Sequence, residues 1–85
     1  MKMILNRWNY EEHRYNKVNL PNFWNCKIYC KDLNEIVNCP HCGNEIKFGD
    51  SYTSLEFHTE VLGMGYAVCE RCYKEEWKRR KNNNG

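Results

Sequence analysis

The sequence predicts a small α+β domain folded around one bound metal ion, and three observations predict it. Two pairs of the form Cys-x-x-Cys, Cys39-Pro40-His41-Cys42 and Cys69-Glu70-Arg71-Cys72, stand in the second half of the chain. The stretch between them carries the β-branched, aromatic and glycine residues of a β-hairpin. After the second pair, Tyr73 to Lys81 contains no Gly or Pro and mostly good helix formers. The expected order is therefore knuckle, hairpin, helix.

The cysteine spacing carries the metal assignment. Zinc takes four donors, with thiolate sulfurs about 2.3 Å from the ion, and a gap of two residues lets one tight turn aim two thiolates at one point. Gly43 follows Cys42 and can supply the positive φ that such a knuckle needs. Cys39, Cys42, Cys69 and Cys72 are expected to hold one structural Zn²⁺. Four protein ligands leave no open position for a reactive water, so this metal holds shape. Redox pairs are the competing reading, but a thioredoxin-like motif opens the helix of a βαβ unit and none is visible. His41, inside the knuckle, reads as an exposed residue.

Size explains why a metal is needed. At 85 residues the chain makes one domain, and a chain of this size hides only a little over about 60% of its unfolded surface. Zinc contributes about 10–16 kcal/mol of apparent binding energy in finger peptides, which becomes folding energy when the site does not pre-exist. The formal charge of +2 counts the thiols as neutral; four thiolates on one Zn²⁺ bring the loaded protein near neutrality. Bulk charge thus gives no argument for nucleic acid. No apolar run is long enough to span a membrane, and six cysteines without a recognisable leader point to a reducing, cytoplasmic setting.

Taken in order, residues 1–38 read as an arm and a strand packing on the zinc module, 39–81 as the module, and 82–85 as a disordered tail. Residues 1–20 carry too few apolar positions for a regular element and are expected to form an irregular arm anchored by Trp8 and Tyr15. Leu20-Pro21 ends that segment. From Phe23 the pattern has period two: Trp24, Cys26, Ile28 and Cys30 alternate with Asn25, Lys27, Tyr29 and Lys31, as in a half-buried strand. On a strand Cys26 and Cys30 lie about 13 Å apart, too far to pair, so they read as buried thiols. A second metal site formed by Cys26 and Cys30 with His13 or His58 is the sharper alternative.

Asp32-Leu33-Asn34-Glu35 has the form of a capping box and predicts a helical turn or two over residues 33–37. After the knuckle, Ile46 and Phe48 are core candidates and Gly49-Asp50 a turn. Residues 51–59 read as a strand with Leu55 and Phe57 inward, Gly63-Met64-Gly65 as the reversal, and Tyr66-Ala67-Val68 as the returning strand. On the final helix Cys69, Cys72, Tyr73 and Trp77 share one face. The charges opposite form pairs Glu70–Lys74, Glu75–Arg79 and Glu76–Arg80 in the favourable order. Tyr52, His58, Tyr66 and the run Lys78-Arg79-Arg80-Lys81 are the candidate partner contacts.

Cys39-Pro40-His41-Cys42-Gly43, Ile46, Gly49-Asp50, Tyr52 and Val68-Cys69-Glu70-Arg71-Cys72 resemble small treble-clef and zinc-ribbon four-cysteine proteins of bacteriophages and their bacterial hosts. The resemblance covers about the last half of the chain. It implies a treble-clef zinc finger and a non-enzymatic module that docks on a protein partner as an adaptor or inhibitor, with phage counter-defence one setting. Treble-clef relatives also include DNA binders, so nucleic-acid binding through the basic helix end is the alternative. The HNH nucleases place a catalytic histidine on the hairpin, with an asparagine and a further histidine as metal ligands; His58 lies on the first strand, but the helix after Cys72 offers no histidine.

Overall fold

In the computed structural model, residues 3–21, 24–59 and 64–84 are described. The first of them correct the expected irregular arm. Met3–Asn9 (β1) and Arg14–Leu20 (β2) form an antiparallel hairpin. Asn9 builds its turn: its side-chain Oδ1 accepts the backbone N–H groups of Glu11 and Glu12 at 2.9 and 3.0 Å. Its carbonyl accepts that of His13 at 2.8 Å. His13 closes the turn at φ 55°, a left-handed conformation that histidine tolerates better than branched residues do. Opposed residues share a face, so Leu5 and Val18 point inward together, as do Arg7 and Asn16. Only the first of those pairs is apolar, which is why the alternation reads weakly.

The chain from Trp24 to Lys31 forms no strand among the described residues, although burial alternates as its pattern predicts. Its backbone is held by isolated bonds, from Ala67 N–H to the Lys27 carbonyl (2.8 Å) and from Asn38 N–H to the Asn25 carbonyl (2.7 Å). The predicted helix at 33–37 is likewise absent. Asp32 caps a turn instead, accepting Asn34 N–H on Oδ1 at 2.9 Å and Glu35 N–H on its carbonyl at 3.0 Å. Ile36–Asn38 (β3) then pairs with Glu45–Lys47 (β4) on either side of the knuckle.

A 3-10 turn, Phe48–Asp50, leads into Tyr52–His58 (β5), which pairs with β1 on one side and with Gly65–Val68 (β6) on the other. The main sheet has the order β2-β1-β5-β6. Part of the predicted reversal lies outside the described residues; Thr59 N–H to the Met64 carbonyl, at 2.9 Å, joins its ends. The last element is the helix Glu70–Asn84 (α1), which packs on β5 and runs past Lys81, where the sequence reading ended it.

Two apolar clusters result. Leu5, Leu20, Cys26 and Phe57 form one, with Val18, Trp24 and Tyr66 against it. Cys39, Val68 and Cys72 form the other, with Cys42, Cys69 and Tyr73. Between them β5 is irregular: Ser54 Oγ accepts the N–H groups of Glu56 (3.0 Å) and Phe57 (2.8 Å), and Ser54, Glu56 and Phe57 are all buried. Strict alternation, which faced Leu55 and Phe57 inward and Glu56 outward, fails there.

Candidate metal centre

The knuckle is built by backbone hydrogen bonds. Gly43 N–H donates to the Cys39 carbonyl at 2.7 Å and Cys39 N–H to the Asn44 carbonyl at 3.0 Å, with Gly43 at φ 78°. Across from it, Cys69 sits between β6 and α1, Cys72 lies in the first helical turn, and Tyr73 N–H bonds the Cys69 carbonyl at 2.9 Å. The four sulfurs of Cys39, Cys42, Cys69 and Cys72 all lie within 4.8 Å of one another, and those of Cys42 and Cys69 are 3.7 Å apart. Four thiolates in a tetrahedron around one ion at about 2.3 Å are separated by about 3.8 Å. The four predicted ligands are therefore positioned to bind a metal ion.

The electrostatics of the sulfurs differ from one to the next. Burial pushes the Cys39 and Cys72 thiols up, although N–H groups of Cys69, Cys42 and His41 bonding the Cys39 sulfur pull the other way. For Cys42 burial is outweighed by the Asn44 N–H and the neighbouring thiols, and its pKa falls. Arg71, at the rim, is held more firmly protonated by the charges of Cys72, Cys42 and Cys69. A metal ion lets these buried sulfurs ionise, releasing protons as it binds.

His41 corrects the expectation of an exposed knuckle residue. Its side chain is 10% exposed and its Nε2 lies 2.5 Å from Glu76 Oε1 and 3.4 Å from Glu56 Oε1. Glu76 is fully buried and also accepts Ser54 Oγ–H and Leu55 N–H, each at 2.6 Å. Burial raises its pKa, but the bonds from His41, Ser54 and Leu55 outweigh that and hold it below its ordinary value. Arg79 grips Glu56: its Nε is 3.1 and 3.2 Å from the two carboxylate oxygens and its Nη2 donates to Oε1 as well. The ligand-type atoms of His41, Glu56 and Glu76 also converge within 4.8 Å. Because protein donors already occupy both carboxylates, this second group reads as an ionic seam joining knuckle, β5 and α1.

The seam replaces two of the three helix pairs predicted from spacing. Glu70–Lys74 forms at 3.0 Å, whereas Arg79 turns to Glu56, Glu76 turns inward, and Glu75 meets Lys78 at 3.6 Å. Trp77, expected on the buried face, is 42% exposed, and Glu76 takes that place. Sequence reasoning missed Glu76 because three acids in the helix look alike; Ser54 and Glu56, at alternate positions of a half-buried strand, were the available signal.

The remaining candidate residues are dispersed. His13 is exposed at the hairpin turn, Cys26 is buried in the first cluster and Cys30 is half-buried. His58 stands edge-on to Tyr15 at 5.7 Å, with its Nδ1 buried and lacking a hydrogen-bond partner among the described residues. These four form no ligand cluster among the described residues. Tyr66 packs on the first apolar cluster, while Tyr52 is exposed and stacks on Tyr73 at 4.9 Å. Trp77 meets Tyr73 edge-on at 6.3 Å, and Arg80 lies 5.0 Å over the Trp77 ring. Lys78 and Lys81 are exposed and Arg79 belongs to the seam. No helix among the described residues is long and apolar enough to cross a membrane. Compared with protein-family models, curated proteins and solved structures, the chain matches none.

Proposed function

We propose that the chain is a zinc-stabilised treble-clef module without catalytic activity, which docks on a protein partner as an adaptor or inhibitor. The observation that carries this reading is the closed cluster of four sulfurs: it has a place for one cation and none for a substrate or reactive water. The working surface is then the outside of the module. Tyr52, Tyr73 and Trp77 make a row of rings along β5 and α1, and Tyr and Trp are favoured contact residues. A phage or prophage accessory role, including counter-defence, is the setting that the resemblance supports.

The test uses metal-loaded protein. One partner protein should be retained from bacterial lysate by the wild type and lost by Tyr52→Ala and Trp77→Ala, with both variants keeping their metal and fold. Retention by both variants would refute the assignment of this surface. A second reading, nucleic-acid binding, is favoured by Arg80 over the exposed Trp77 and by Lys81 beside it. Phosphate binding weakens steeply with salt. No measurable affinity for random-sequence duplex or single strands at low salt would end that alternative.

A further inference from the structure

The inner face of the β1–β2 hairpin changes character halfway along. Toward β2's end it is core: Leu5 opposite Val18, with Leu20 buried nearby. One step toward the turn, the same face carries Arg7 opposite Asn16. There it borders a cleft of about 450 Å³, walled further by Trp8, Asn9, Tyr10 and Val18 and ended by the Glu56–Arg79 pair. That volume lies in the range of small-molecule sites. Positions where an apolar face turns polar without a structural partner are where function is expected to override packing.

Arg7 is the centre of this departure. It is half-buried and lies 5.6 Å over the Phe57 ring, yet it forms no ion pair with any described residue. The carboxylate at the cleft's end is paired with Arg79, through both Glu56 oxygens, and not with Arg7. Glu11, the other acid at the rim, is exposed on the turn. A guanidinium beside an aromatic ring still has N–H groups to offer an oxyanion, since the ring accepts none of them in a hydrogen bond of ordinary strength. Tyr10 adds a donor: burial, and then the charges of Glu56 and Glu76, push its pKa up, so its hydroxyl keeps its proton at neutral pH. Amides of Asn9 and Asn16 complete a set of donors beside the aromatic ring of Tyr10 and the aliphatic side of Val18.

We propose that this cleft is a binding site for a small anion, a phosphate or carboxylate borne on a planar ring, with Arg7 holding the oxyanion and Tyr10 and Val18 the ring. The assignment stands apart from the protein-docking surface, which lies on β5 and α1, and can fail without it.

The test is an NMR titration of isotope-labelled, metal-loaded protein with two matched pairs: adenosine monophosphate against adenosine, and benzoate against benzamide. At least one anion should give saturable shifts at the Arg7 Nε–H, the Trp8 backbone N–H and the Asn16 side chain. Its neutral twin should bind about tenfold more weakly or worse, since charge-assisted bonds are the strong ones. The pair that responds tells phosphate from carboxylate. Arg7→Gln should abolish saturation, and Arg7→Lys, which keeps the charge and loses the planar fork, should weaken it severalfold. No saturable shift with either anion at about 10 mM, equal binding of the neutral twins, or an undiminished response in both Arg7 variants would overturn the proposal, the concentration marking the weak end of useful affinity.

Discussion

Replacing Glu76 tests the ionic seam directly. Its carboxylate is fully buried and accepts three hydrogen bonds, at 2.5 Å from His41, 2.6 Å from Ser54 and 2.6 Å from Leu55. Bonds to a buried charge contribute about 1.5–3 kcal/mol each, but they are not additive. Removing one partner of a buried ionic group costs about 3–5 kcal/mol in total. Glu76→Ala should therefore lower stability by about 3–5 kcal/mol, a large share of what a domain of this size has. The corresponding fall in Tm is about 12 °C or more. Glu76→Gln should cost somewhat less, because its amide oxygen still accepts and no cavity opens, but it should still destabilise, because every group facing Glu76 donates and the new N–H₂ must point at another donor. The assay is urea unfolding of metal-loaded protein followed by tryptophan fluorescence, with the exposed Glu75→Gln as control, expected to stay within about 0.5 kcal/mol of wild type. The pH dependence has a defined sign. The folded pKa of Glu76 lies below its unfolded value, so its contribution is complete above the unfolded pKa and disappears as pH falls through the folded one. The gap between wild type and Glu76→Gln should shrink over that acid range. A Glu76→Ala variant as stable as Glu75→Gln would refute the seam as a source of stability.

Cys39→Ser and Cys72→Ser should release the metal and unfold the knuckle and helix, measured by elemental analysis and far-UV dichroism; full helicity after either change would contradict a metal-dependent fold. Wild-type protein should carry one zinc per chain, and a value near two would return Cys26 and Cys30 to the ligand set. Cys26→Ala should cost only about 1–2 kcal/mol, as a packing defect. Burial, and then Cys39, push the Cys26 thiol up to about 12, so it should resist alkylation at neutral pH in the folded protein, read by mass spectrometry. Gly43→Ala should cost more than about 1 kcal/mol: at φ 78° the new Cβ would stand 2.8 Å from Trp24 Cζ2, and thermal melts would show the loss.

The four-cysteine cluster was legible because its signal is local: two Cys-x-x-Cys pairs and Gly43 declare their geometry in a few residues. The hairpin strands β5 and β6 and the helix after Cys69 were legible for the same reason, from composition and punctuation. The first hairpin was not, since its inner face stops being apolar at Arg7 and Asn16 and its turn relies on Asn9 and His13 instead of glycine. Asp32 illustrates an ambiguity of chemistry, because the side chain that caps a helix also closes an isolated turn. The seam lay furthest from view. Glu56 meets Arg79, and His41 meets Glu76, across the fold, and periodicity within one element carries no information about such pairs.

The two apolar clusters share no residue, and His41 links them, with its nitrogen in the seam and its ring 4.6 Å from that of Phe57. A residue inside the loop that carries Cys39 and Cys42 thus doubles as a strut under Phe57 of β5. Loosening that one ring would slacken the knuckle and the packing beneath Phe57 together, so damage at either place should be felt at the other.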